Sequence, residues 1–247
     1  MNRNRKWFAM LIITALLFVT KLQAQLYAGL EAGANRNYLI TNTSDKPFFD
    51  YQPSYGYSIG IPVRYAFPSL SWFGGIQATP AYVQKNYKMQ RTGYYSEMYQ
   101  QNDNNYLELP LMAQFRFGGK LGKKQSLYGI LNLGGFGGYW LNGNVSGTTL
   151  SPMDLQNYQT FDEKYTFNNA KDNRFEWGGL AGVGLQYMPN KKYVISLEGR
   201  YMPSFSDQQK AYSENQTPRY NDTYSVLVGV QYQLPVFKLD KYKASRK

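Results

Sequence analysis

Hydrophobic and polar positions alternate without a fault from Tyr55 to Phe67. Tyr55, Tyr57, Ile59, Ile61, Val63, Tyr65 and Phe67 are apolar or aromatic, while Gly56, Ser58, Gly60, Pro62, Arg64 and Ala66 are small or polar. A period of two over thirteen residues predicts an extended strand with one greasy and one wet face. The greasy face has aromatic ends and an aliphatic middle, matching the preference of rings for the membrane–water boundary and of aliphatic chains for hydrocarbon. An ordinary half-buried strand of about five or six residues needs no such bracketing. The stretch therefore reads as a strand that crosses an outer membrane.

The same alternation recurs along the chain. Leu26, Ala28, Leu30 and Ala32 set against Glu31 and Gly33 mark a first strand, and Tyr55–Phe67 is the second. Further strands are predicted over Trp72–Lys85, Tyr106–Phe117, Leu127–Leu141, Phe175–Met188, Tyr193–Met202 and Thr223–Phe237. Ile40–Ser54, Asn86–Asn105, Asn142–Arg174 and Pro203–Asp222 read as long polar loops, whereas Pro68-Ser69, the GGKLGKKQS segment and Pro189–Lys192 read as short turns.

Long and short connections thus alternate. The pattern predicts an all-β fold: an eight-stranded antiparallel up-and-down transmembrane β-barrel, closed because lipid cannot satisfy an open sheet edge. Ten strands follow if Lys164–Arg174 or Tyr87–Arg91 extend the pairing. A soluble lipocalin-like barrel would turn its greasy face inward around a ligand. The near absence of charge on the greasy face favours the membrane barrel. The short turns share an end with the chain termini, so both are expected in the periplasm.

The N-terminus carries Arg3, Arg5 and Lys6, then an apolar core from Trp7 to Thr20 and Leu22-Gln23-Ala24 before Gln25. This is the pattern of a cleaved signal peptide over residues 1–24, the alternative being an uncleaved anchor. The barrel is expected over 25–237, with a basic periplasmic tail at 238–247.

Composition narrows the chemistry. Of 247 residues, 17% are aromatic, 24 of them tyrosine, and the chain has neither cysteine nor histidine. Disulfides, thiolate metal sites, a lipidated N-terminal cysteine and imidazole catalysis are excluded, and a transition-metal site is disfavoured. No cofactor is expected, and the protein reads as non-enzymatic. A carboxylate-only enzyme stays formally open.

The net charge of +11 is local. Arg3, Arg5, Lys6 and Lys21 fall in the signal peptide, while Lys120, Lys123, Lys124, Lys191, Lys192, Lys238, Lys241, Lys243, Arg246 and Lys247 gather at the short-turn end against Asp240 alone. With no basic helix and no aromatic RNA-binding motif, nucleic acid is not an expected partner. The rim suits anionic lipid head groups or an acidic protein partner.

The alternation points Glu31, Arg64, Glu108, Arg116, Glu176, Glu198 and Arg200 into the lumen. Eight strands leave an interior just wide enough for side chains, and isolated buried charge is costly, so an interlocking ion-pair plug is expected. A proton path or a paired-carboxylate site is the functional alternative. Gly134-Gly135-Phe136-Gly137-Gly138 and Gly178-Gly179 lie inside strands with no following helix, which speaks against a nucleotide loop. Tyr94, Tyr95, Tyr99 and Tyr158 sit in predicted outer loops, as partner contacts or as packing over the barrel mouth.

The GLEAGAN segment after the signal peptide, YLELPLMAQFRFG at Tyr106–Gly118 and YSVLVGVQYQLP at Tyr224–Pro235 resemble the PorT-like outer-membrane β-barrel domain family. The resemblance implies a small Gram-negative outer-membrane barrel, in a family most of whose members have no assigned activity. Its name-giving member is linked to a protein-secretion apparatus, but no motif here carries that role over, and there are no catalytic residues to map. The expected work is that of a scaffold or accessory subunit of an outer-membrane assembly, with lipid and a protein partner. A narrow channel for small solutes is the alternative.

Overall fold

The computed structural model describes residues 25–41, 48–67, 70–152, 157–211 and 217–235. The predicted signal peptide and basic tail lie outside the described residues. In chain order the strands are β1 (Gln25–Thr41), β2 (Phe49–Gly60), β3 (Val63–Ala66), β4 (Phe73–Ala78), β5 (Ala81–Gln84), β6 (Tyr87–Arg91), β7 (Tyr99–Lys120), β8 (Ser126–Leu150), β9 (Tyr158–Lys164), β10 (Phe175–Met188), β11 (Tyr193–Pro203) and β12 (Arg219–Gln233).

These strands reduce to eight staves. β2 and β3 both pair with β1 and form one stave; β4, β5 and β6 all pair with β7 and form the next. β9 pairs with the long-loop half of β8 and adds no stave. Antiparallel pairing of β12 with β1, from Tyr27↔Gln233 to Thr41↔Arg219, closes the ring. The protein is an eight-stranded antiparallel up-and-down barrel, and the ten-strand alternative falls away.

The composite staves have physical causes. Proline has no N–H for the ladder, so the stave breaks at Pro62 and Pro80, but their carbonyls still accept from Gly29 and Ile61. From Pro53↔Tyr87 to Ser58↔Val83, β2 advances five residues while its partner advances four. The extra residue is a bulge, and the Asn86 side chain donates to the exposed Tyr55 carbonyl beside it at 2.9 Å.

The strands run further than the sequence pattern indicates. Phe49–Ser54, Tyr87–Arg91, Tyr99–Asn105 and Asn142–Leu150, all expected in loops, are paired strand. Beyond the lipid both faces of a hairpin are wet, so the backbone ladder continues where alternation has stopped.

The greasy face points outward. Ile59, Ile76, Leu109, Leu111, Val183, Leu185, Val226 and Val228 are all exposed on the outside of the wall, which rules out a barrel with an oily interior. Aromatic clusters flank this band. Tyr38, Tyr201 and Tyr224 meet toward the long-loop end, with Tyr201 and Tyr224 centroids 4.7 Å apart. Phe67, Phe73 and Phe115 meet toward the short-turn end, as do Tyr193 and Tyr232. A recess of about 530 Å³ on the outer face is lined by Ala34, Ala181 and Gly199 and by Tyr55, Tyr201 and Tyr224.

Candidate functional site

The lumen is where the chain places its unusual chemistry. Inward positions of β1, β3, β7, β10 and β11 bury Glu31, Arg64, Glu108, Glu176, Glu198 and Arg200, with Arg116 half-buried near the short turns. They do not form one network. Arg200 donates through Nε and Nη2 to the two carboxylate oxygens of Glu198, both at 3.0 Å, and through Nη1 to Glu31 at 3.1 Å. The guanidinium fork matches a carboxylate bidentately, so its orientation is fixed as well as its charge.

Glu108 and Glu176 are joined by Lys85, which the sequence pattern had left at the end of a strand with no lumen role. The Lys85 ammonium lies 2.6 Å from Glu108 Oε1 and 3.0 Å from Glu176 Oε1. It also sits 4.6 Å from the Phe136 ring centroid, within cation–π range. The signal was present in the parity: Ala81, Val83, Lys85 and Tyr87 all face inward. Charge balance pointed the same way, because four acids and three arginines need one more cation.

Between these polar groups lies an apolar layer of Met112, Phe136, Leu180 and Met202 that the sequence reading also lacked. Inward glycines make room for it and for Glu198. A Cβ on Gly178 would sit 2.6 Å from the Phe136 ring, and one on Gly182 would sit 2.2 Å from Glu198 Oε1. The glycine-rich runs thus serve packing within β8 and β10, with no helix following either.

The long-loop mouth is closed by aromatic stacking. Trp140 stacks on Tyr106 at 5.9 Å from below and on Tyr165 at 4.9 Å from above, and Phe167 meets it edge-on. The Tyr165 hydroxyl donates to Asp172 Oδ1 at 2.9 Å. Burial first, then this hydrogen bond, pushes that hydroxyl well above the usual phenol range. The Gln208 amide, from the β11–β12 connection, donates to the Tyr106 hydroxyl at 3.2 Å. The segment after β9 therefore folds inward over the lumen.

The short-turn mouth differs. Arg64 is 1% exposed, and among the described residues it has no carboxylate within ion-pair distance. Its Nη1 donates to Gln114 Oε1 at 2.6 Å, and its guanidinium also faces the Gln186 amide oxygen and lies 4.9 Å from the Tyr27 ring. Arg116 lies over Tyr128 at 5.2 Å and donates weakly to the Phe73 carbonyl at 3.4 Å. Arg64 and Arg116 line a cavity of about 330 Å³ together with Lys120, Lys124 and Lys191. Lys123 and Lys192 are exposed on the same end but outside the cavity; Lys238 and Lys241 lie outside the described residues.

The four loop tyrosines stay at the long-loop end and are exposed, Tyr94 at 90%. Tyr94 and Tyr95 pack edge to face within a short turn of 3-10 helix, and Tyr99 carries Lys88 over its ring at 4.5 Å. Tyr158 begins β9 opposite Leu150. None of them packs on Trp140; that role falls to Tyr106, Tyr165 and Phe167, whose contacts span positions too distant in sequence for local patterning to show.

Comparisons with known proteins follow from this geometry. Among curated proteins no sequence matches the chain. Several solved outer-membrane proteins are similar in structure. OprG from Pseudomonas aeruginosa shares 14% identity, with 85% of this chain and 95% of OprG covered at a TM-score of 0.44. AlkL, solved in lipid bilayers, shares 13% identity over 87% of this chain and 92% of its own, also at 0.44. Ail of Yersinia pestis shares 15% identity over 83% of this chain and 98% of its own, at 0.35. Likeness at this level says nothing about activity. A sequence model described as the outer membrane protein beta-barrel domain matches residues 20–209, which is most of the chain. With its greasy face turned to lipid and its polar face filling the interior, the chain belongs to the outer membrane protein beta-barrel domain family and resides in the cell outer membrane.

Proposed function

We propose that this barrel is a non-enzymatic scaffold or accessory subunit of an outer-membrane assembly, with its short turns and both termini in the periplasm. The observation that carries this reading is the filled lumen. Two ion-paired clusters, the layer of Met112, Phe136, Leu180 and Met202, and the stack on Trp140 occupy successive levels of the interior. A solute has no open path through such a stack, and a substrate has no approach to Glu108 or Glu176, whose side chains are 0% and 6% exposed. What is left for function is the outside: the exposed loop tyrosines at one end and the lysine rim at the other, each a surface for a protein partner. The resemblance to PorT-like barrels supports a link to protein secretion or surface export. Crosslinking in intact outer membranes followed by mass spectrometry tests it, with crosslinks expected from Tyr94 and Tyr95 or from the lysine rim to a second protein. Single-channel recording is the complementary measurement. A small, stable conductance would replace this reading with the alternative, a narrow channel for small solutes, and a large one would contradict the filled lumen itself.

A further inference from the structure

We propose that the short-turn mouth is a binding site for a phosphate group, carried by a soluble ester or by a lipid head group. This goes beyond the scaffold reading and depends neither on it nor on which compartment the mouth faces. Among the described residues, five cationic side chains and no carboxylate line the cavity of about 330 Å³. Among the described residues, Glu31, Glu108, Glu176 and Glu198 balance Arg64, Lys85, Arg116 and Arg200, but the balance is not local. Arg200 and Lys85 are each shared between two carboxylates, while Arg64 and Arg116 have none among the described residues. Arg64 faces Tyr27 across the ladder, and Glu31, the acid on the same strand, lies four residues on, about 13 Å away along the strand.

A fully buried guanidinium without a counter-ion is costly, and here the neighbouring glutamine amides and tyrosine faces supply only dipoles. Both Arg64 and Arg116 also keep a buried Nε–H with no hydrogen-bond partner. Two arginines that line one cavity without a counter-ion among the described residues are what a tetrahedral oxyanion satisfies, since guanidinium forks match phosphate oxygens bidentately. Lys120, Lys124 and Lys191 at the entrance add long-range attraction. The cavity is roomier than bare phosphate requires. Its Tyr128 and Met188 walls leave space for an organic remainder.

The test uses the folded full chain in a phosphate-free maltoside detergent, titrated with inorganic phosphate and, separately, with short-chain phosphatidylglycerol. The arginine Nε resonances are followed by NMR. Both Arg64 and Arg116 signals are expected to shift saturably, and Arg116→Gln is expected to weaken binding about tenfold or more. Lys192→Gln, outside the cavity, should leave affinity unchanged. Saturation by phosphate assigns a soluble ligand, and saturation only by the phospholipid assigns a head group; either supports the site. Absence of any saturable shift in the wild-type chain overturns it, as does equal weakening by Arg116→Gln and Lys192→Gln. The wild-type titration stands even where an arginine variant fails to fold.

Discussion

Lys85 and Glu108 form an ion pair of 2.6 Å between side chains that are both 0% exposed. The two belong to adjacent staves, and Glu176 reaches the same ammonium from β10 across the lumen. A pair so fully removed from water is weak evidence for stability in itself, because desolvation offsets most of the attraction. Its consequence is asymmetry: removing the shared cation is far worse than removing one of two acids.

Lys85→Met is therefore expected to destabilise the barrel by about 3–5 kcal/mol, since it strands two buried carboxylates. Glu176→Gln leaves a neutral Lys85–Glu108 pair and should cost much less. The triple change Lys85→Met, Glu108→Gln, Glu176→Gln should recover most of the loss. Urea unfolding in detergent micelles, read by tryptophan fluorescence, orders the three. Equal costs for Lys85→Met and Glu176→Gln would mean that the lumen admits water.

Gly182 tests how tightly the second cluster is held. A Cβ there would lie 2.2 Å from Glu198 Oε1 and 3.1 Å from its Cδ, so Glu198 must move and loosen its fork to Arg200. Gly182→Ala is expected to cost about 1–3 kcal/mol. Gly119→Ala, where a Cβ meets nothing within 4 Å, should stay within about 0.5 kcal/mol of wild type. The same unfolding assay compares them.

The membrane portion of this fold was legible because the bilayer constrains every residue twice, outward to lipid and inward to a narrow lumen. Phe175–Met188 in β10 was read to the residue, and all seven acids and arginines expected inside face the lumen or its mouth. Above the lipid the constraint lapses. The Tyr99–Asn105 part of β7 is polar on both faces and looked like loop, although it pairs residue for residue with β8. Lys85 was lost for the same reason, standing where the pattern ends and the bulge begins. Partner choice was not legible at all. That Arg200 meets two acids and Arg64 meets none among the described residues depends on distances across the barrel, which strand parity does not contain.

The closed long-loop mouth has a pH signature. Burial and the hydrogen bond to Asp172 hold the Tyr165 hydroxyl above its ordinary value of 10.0, as does the charge of Asp172; the nearby Tyr87 adds to this and Arg219 opposes it. A raised value means that the folded state holds the proton more tightly. The contribution to closure is thus full below about pH 10 and is lost as the pH rises beyond it. Proteolytic cutting between 166 and 171 by an alkaline-active protease should stay slow through neutral pH and accelerate above about pH 10. Tyr165→Phe should raise the neutral rate, by about 1 kcal/mol of lost closure, and flatten the alkaline rise. An alkaline rise that persists unchanged in Tyr165→Phe assigns it elsewhere.

The direction of the greasy face can be measured by placing charge on it. Val228 pairs with Ala32 on one side and Leu197 on the other, and it stands four residues from each of the girdle residues Tyr224 and Tyr232. Four residues span about 13 Å of a tilted strand, which sets Val228 close to the middle of an apolar band about 25 Å tall. Val228→Arg should cost about 2–4 kcal/mol in lipid vesicles, because the guanidinium must leave water or drag water with it. Thr160→Arg, on β9 above the bilayer, has no hydrocarbon to enter and should cost less than about 0.5 kcal/mol. A wall facing water would make the two changes equal, since Val228 is exposed and an arginine there would meet no clash. The difference between them therefore reports lipid rather than packing.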